Sequence, residues 1–75
     1  MKLVNKEDFL KKLGNNIVRI RKSKELTQSD LAHMCNKDPQ SLERVENGKV
    51  NPSAFYLKIL ADAMHIEVKD FFDGI

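Results

Sequence analysis

The stretch from Thr27 to Gly48 constrains this chain most, because its residues spell two short helices joined by a sharp turn. Thr27 stands three residues before Asp30, the spacing of a reciprocal helix cap in which hydroxyl and carboxylate each hold the other's backbone amide. Leu31, Ala32 and Cys35 follow at i, i+1 and i+4 on one apolar face. Asn36 comes next, one of the few residues besides glycine that tolerates the left-handed backbone of a helix end. Asp38 caps the second helix, and Pro39 takes its first position, where a missing N–H costs nothing. Leu42 and Val45 form a narrow apolar stripe that Asn47-Gly48 closes. Ala32 is small enough to let the two helices cross closely near the turn. Opposite the stripe, Gln40, Ser41 and Arg44 face outward, side chains suited to hydrogen-bonding base edges in a major groove.

The flanking segments read as helical too. Asn5 caps a first helix, with Glu7 and Asp8 in its first turn, where negative charge is favourable. Phe9, Leu13, Ile17 and Ile20 repeat at helical spacing and carry it to about Lys22 or Ser23, while residues 1–4 are expected to fray. Gly14 inside this helix costs about 1 kcal/mol relative to Ala, so another feature, such as the close approach of a second helix, must favour it. The reading places helix two at about 28–35 and helix three at about 38–47, with a loop from Gly48 to Pro52. Ser53 caps helix four, about 54–64, whose apolar face is wide: Phe55, Leu57, Ile59, Leu60, Ala63 and Met64. A short last helix, about Val68–Phe72, completes five helices in one all-α domain spanning 1–75, with 1–12 as an N-terminal extension of helix one.

Size and charge narrow the functions. A chain of 75 residues is expected to form a single domain with a modest core. Residues 1–24 hold eight Lys/Arg against two acids, a net +6, whereas residues 25–75 hold five against nine, a net −4. A basic end favours a polyanion such as nucleic acid. One cysteine allows no internal disulfide and fits a reducing cytoplasm. No apolar run approaches the roughly 18 residues of a membrane span, and MKLVNKEDFLKKLG is too interrupted by charge to be a signal-peptide core.

Nothing points to catalysis. His33 and Cys35 provide at most two metal ligands on one short helix, with no second pair at zinc spacing. Their side chains also diverge by about 200° on a helix, too far apart for a nucleophile and its base. His65 reads as a helix-end residue, and three scattered glycines make no phosphate loop. No enzyme, metal or cofactor is expected.

Beyond these residue-level readings, the chain resembles the Cro and phage-repressor family of helix-turn-helix DNA-binding proteins, the XRE-like regulators. "IVRIRKSKELTQSDLA" is similar to the family's first helix and its entry into the second. "LERVENGKVNPSAFYLKILADAMHIEVKDFF" is similar to the end of the recognition helix, the loop and helices four and five. The resemblance covers about residues 13–73 and implies a lambda-repressor-like five-helix fold with its helix-turn-helix at 28–47. The small size is like that of stand-alone phage repressors and restriction–modification controller proteins. Three departures stand out: Pro39 replaces a polar base-reading side chain and offers only apolar contact, while Asn36 and His65 replace helix-ending glycines.

The resemblance implies a structural ion pair between Arg21 and Glu46, joining helix one to the recognition helix. It implies base contacts from Lys37, Gln40, Ser41 and Arg44, and phosphate contacts from Arg21, Gln28, Asn47, Lys49 and Ser53. An apolar C-terminal surplus around Val68, Phe71 and Phe72 is expected to join two copies. The expected function is a sequence-specific transcriptional regulator, a repressor on a palindromic double-stranded operator, acting as a homodimer in a bacterial or phage-infected cytoplasm at the nucleoid, without a membrane partner. The competing expectation is an antitoxin-like module that binds a toxin protein and autoregulates.

Overall fold

The computed structural model describes residues 4–75; the expected fraying of residues 1–4 therefore lies almost wholly outside the described residues. Four α-helices and a terminal 3-10 helix follow one another: α1 Lys6–Ser23, α2 Gln28–Met34, α3 Pro39–Glu46, α4 Ala54–Ala63 and the 3-10 helix Val68–Phe72. No strand occurs among the described residues. The fifth helix is thus a correction in type: five residues wound with i→i+3 bonds, as at Asp70 N to Glu67 O, 3.0 Å.

Each α-helix starts at a residue whose short polar side chain satisfies an otherwise orphaned amide. Asn5 accepts from Asp8 N at 3.0 Å, and Ser53 accepts from Tyr56 N at 3.0 Å. Asp38 accepts from Gln40 N at 3.0 Å. At α2 the cap is reciprocal: Thr27 Oγ1 accepts from Asp30 N at 3.0 Å and Asp30 Oδ2 from Thr27 N at 2.9 Å. The hydrogen bond from the Thr27 amide, with the Thr27 hydroxyl assisting, lowers the Asp30 carboxyl from its ordinary value.

All four α-helices also end alike, in a left-handed residue followed by a 6→1 backbone bond. The left-handed residues are Glu25, Asn36, Gly48 and His65. The closing bonds are Leu26 N to Arg21 O, Lys37 N to Ala32 O, Lys49 N to Arg44 O and Ile66 N to Ala61 O. Only one of the four positions is glycine. Glu25, at φ 58°, bears the largest mismatch, since an ordinary L-residue loses about 1–2 kcal/mol there. Part of that loss returns in the unfolded chain when glycine is substituted. Glu25→Gly is therefore expected to stabilise by about 0.5–1 kcal/mol, raising Tm by a few degrees. A calorimetric Tm that is unchanged or lower would contradict this account.

The helices enclose one apolar core. Ile17, Leu31, Leu42, Leu60 and Phe71 are its largest fully enclosed side chains, and Leu13, Val45, Leu57 and Met64 pack with them. Ala32 and Cys35 are buried at the α2–α3 turn, where Cys35 Sγ lies 3.8 Å from Ile59 O. Phe55, counted on the apolar face of helix four, is 72% exposed, while Tyr56 turns partly inward. Part of the N-terminal extension packs on the domain. Leu10 is buried, and Phe9 stacks on Phe72 with centroids 6.2 Å apart. Asn16 Nδ2 donates to Phe71 O and Asp73 O, both at 2.9 Å, binding the last turn to α1.

Gly14 is explained by a helix crossing. A Cβ built there would run into the carbonyl oxygen of Glu46 and lie 2.7 Å from that of Val45. The backbone of α1 thus rests directly on the last turn of α3. One turn earlier, Gly48 leaves only 3.0 Å between a would-be Cβ and the Lys11 backbone. Together these contacts set the angle at which α3 leaves the core.

Candidate nucleic-acid interface

At the junction of α1, α2 and α3 lies a buried polar network. Arg21 Nε donates to Glu46 Oε2 at 2.7 Å and Nη2 to Oε1 at 3.2 Å, a two-pronged pair with both residues buried. Arg21 Nη1 donates to Leu26 O at 2.8 Å, and Gln28 Nε2 donates to Glu46 Oε1 at 2.7 Å. The carboxylate thereby accepts three hydrogen bonds, and the guanidinium serves the chain between α1 and α2 as well. Such charge-assisted, bidentate geometry is directional, so it fixes the mutual orientation of three helices.

This network takes up two side chains that were expected at phosphates. Arg21 is only 7% exposed and its donors are engaged within the protein. The Gln28 side-chain amide is likewise committed to Glu46. Its part in the network is a long-range pairing that no local sequence signal announces.

The outer face of α3 is different in kind. Gln40, Glu43 and Arg44 are exposed and, with Lys49 and Val50, line a shallow depression. Asn47 and Ser53 are exposed beside it. Ser41 departs from expectation. It is half-buried, its hydroxyl donates to Asp38 O at 2.8 Å, and it lies 3.2 Å from the Tyr56 hydroxyl. With the Ser41 proton used, Tyr56 is the donor between them. Burial pushes the Tyr56 phenol up, with the Ser41 bond opposing, so it stays a donor. Lys37 Nζ sits 5.8 Å from the Tyr56 ring centroid, in cation–π range. Tyr56, absent from the expected site, thus organises two residues that were in it. Its ring also joins Ser41, Arg44, Val45, Val50, Pro52 and Ser53 around a small recess beside the α3–α4 loop.

The C-terminal surface needs a further correction. Phe71 is fully enclosed and cannot touch a second copy. A 3-10 turn advances about 120° per residue, so neighbouring Phe71 and Phe72 point to different surroundings. Val68 and Phe72 are half-buried, and Ile75 is 44% exposed.

Chemistry of other kinds finds no assembly here. No group of three or more His, Cys, Asp or Glu among the described residues is placed to hold a metal ion. Burial pushes the Cys35 thiol up, with the Lys37 charge opposing, which disfavours the reactive thiolate. No helix of the described residues is long and apolar enough to cross a membrane.

Comparison with known proteins places this arrangement. The helix-turn-helix family model HTH_3 matches residues 17–71. An uncharacterised HTH-type transcriptional regulator, y4dJ of Sinorhizobium fredii, is 34% identical over 64 residues, covering 81% of this chain and 83% of its own. Multiprotein-bridging factor 1b of Arabidopsis thaliana is 37% identical over 57 residues, 76% of this chain, but the match spans only 40% of that protein. Among solved structures, the restriction–modification controller protein C.AhdI of Aeromonas hydrophila superposes with a TM-score of 0.82 at 33% identity, covering 84% of this chain and 96% of its own. The controller protein C.Esp1396I, solved as a tetramer on its natural 35 base-pair operator, gives 0.77 at 28% identity, covering 87% and 86%. A scaffold of capped helices that presents one polar, exposed helix face, matched over most of its length by regulators, makes this chain a member of the helix-turn-helix family of DNA-binding transcriptional regulators.

Proposed function

We propose that the chain is a transcriptional repressor that binds a palindromic operator as a homodimer. One observation supports this reading above the rest. The Gln40–Arg44 face of α3 is exposed, while the opposite side of the same helix is locked into the core by Leu42, Val45 and the Arg21–Glu46 pair. A helix held rigidly with amide and guanidinium side chains outward suits insertion into a major groove. Arg44 has the planar fork for guanine O6/N7, and Gln40 the amide for adenine N6/N7. Lys37 contributes charge at the start of the helix. Asn47, Lys49 and Ser53 hold the phosphates on one flank, and on the other Gln28 contributes the backbone amide of the first turn of α2. Ser41 acts by holding Tyr56 rather than by reading a base.

One recognition helix reads too few base pairs for a genomic address. Two copies related by a two-fold axis would read inverted half-sites roughly 34 Å apart. Val68 and Phe72, extended by Ile75, are the contact we assign to the dimer, without Phe71. The operator-bound tetramer of C.Esp1396I supports, by analogy, operator binding by more than one copy.

Selection of a binding site from random duplex DNA, followed by sedimentation of the protein alone and on that site, tests it. The expected outcome is a short inverted repeat occupied by two copies. A protein that selects no DNA and instead co-purifies with a second protein would favour the antitoxin-like alternative. Arg44→Ala is expected to weaken the selected site by about 1–3 kcal/mol, roughly five- to 150-fold, and random duplex far less. Equal losses on both would reduce Arg44 to a phosphate contact.

A further inference from the structure

The exposed face of α3 carries one acid, and no hydrogen bond or ion pair among the described residues engages its side chain. Glu43 is exposed, stands three residues after Gln40 and directly before Arg44, and lines the same depression with them. At 100° per residue, Arg44 lies about 40° to one side of Gln40 and Glu43 about 60° to the other, so Glu43 sits on the flank of the same face. The ion pairs among the described residues are Lys12–Asp8, Arg21–Glu46 and Lys58–Asp62, none of which involves Glu43. Neither Arg44 nor Lys49 neutralises it.

A free acid on a surface that meets a polyanion is unfavourable on arbitrary DNA, because it opposes the phosphate field and loses its water when the groove closes over it. It becomes favourable only where the groove presents a donor. A carboxylate is acceptor-only. In the major groove the donors are the amino groups of cytosine and adenine, while guanine O6/N7 and thymine O4 are acceptors. Adenine sets its N7 acceptor beside the amino group, against the second carboxylate oxygen. Cytosine has a C–H there and accommodates both oxygens.

We propose that Glu43 is a specificity-determining residue, accepting a hydrogen bond from a cytosine amino group at one position of each half-site and penalising DNA that lacks it. The proposal rests on α3 being the recognition helix. Its effect is twofold: a base preference beside those of Gln40 and Arg44, and a brake on binding elsewhere.

The full-length wild type, Glu43→Gln and Glu43→Ala would be taken through the same selection from random duplexes. Each would then be titrated, at one salt concentration, against the selected site, its single-base variants and random duplex. Circular dichroism checks folding, and the Gln variant answers if the Ala variant folds poorly. Wild type is expected to show a cytosine position in each half-site whose replacement weakens binding about tenfold, guanine being worst. In the variants that penalty should shrink to about twofold or less, and affinity for random duplex should rise several-fold. Unchanged base preferences in all three proteins would overturn the role of Glu43 while leaving the DNA-binding reading intact. A wild type that selects no motif would overturn both.

Discussion

Glu46→Ala should lower the stability of the fold by about 3–5 kcal/mol, because it strands a buried guanidinium. The loss is large beside the total stability of a domain of this size, which is about 5–10 kcal/mol. Glu46 accepts from Arg21 Nε, Arg21 Nη2 and Gln28 Nε2, so one truncation leaves two buried donors and one half-buried donor without their partner. Arg21→Ala should cost a similar amount, since the carboxylate keeps only Gln28 and Leu26 O loses its donor. The pair joins three helix ends, and an effect on DNA affinity should accompany the loss of stability. Replacing both charges at once separates two causes. Arg21→Met with Glu46→Leu removes the buried charges and restores apolar volume, so most of the stability should return. DNA binding should not return with it, because aliphatic contacts do not fix orientation as a bidentate pair does. Urea denaturation followed by circular dichroism gives the stabilities. Single variants within about 1 kcal/mol of wild type would show that the pair does not hold the junction.

What could be foreseen about this fold was whatever depends on neighbours a few residues apart. The caps at Asn5, Thr27, Asp38 and Ser53 are such features, because the amide each satisfies lies two or three positions ahead. So are the left-handed ends at Asn36 and His65, marked by the loss of apolar periodicity just after them. Glu25 escaped because a long charged side chain carries no preference for that conformation; the neighbours impose it. Contacts that close over long stretches of chain escaped for another reason. Gln28 to Glu46, Ser41 to Tyr56 and Asn16 to Phe71 span 18, 15 and 55 residues. Nothing in a local pattern distinguishes such a pairing from a solvated polar side chain. Phe71 and Phe72 show the limit of periodicity itself, since two adjacent aromatics divide between core and surface according to a 3-10 winding that an α-helical template misplaces. In the interface, residues that donate to DNA drew attention and Glu43, which only accepts, did not. The burial of Arg21 beside Glu46 is likewise a tertiary property, which no local pattern carries.

Gly14→Ala is expected to destabilise, against its local tendency. In an exposed helix interior the same change would stabilise by about 1 kcal/mol. Here the added methyl meets the carbonyls of Val45 and Glu46, backbone atoms with little room to yield. The Val45 carbonyl already accepts from Gly48 N at 3.1 Å in the closing turn of α3. With α3 held, α1 must move outward, and it carries Arg21 away from Glu46 and Lys11 away from Gly48. Overpacking of this kind costs about 1–3 kcal/mol, and the stretched ion pair adds to it, so a net loss of about 2–4 kcal/mol is expected. Asn15→Ala is the natural control. Asn15 is exposed on the next position of the same helix, and the change should stabilise by a few tenths of a kcal/mol through propensity alone. The two variants should therefore move Tm in opposite directions. If Gly14→Ala melts above wild type as Asn15→Ala does, α1 does not rest on the end of α3, and the angle of the recognition helix must be set by other contacts. If it melts below, the glycine that weakens α1 locally is what permits the buried Arg21–Glu46 pair to form, and with it the fixed presentation of Gln40 and Arg44.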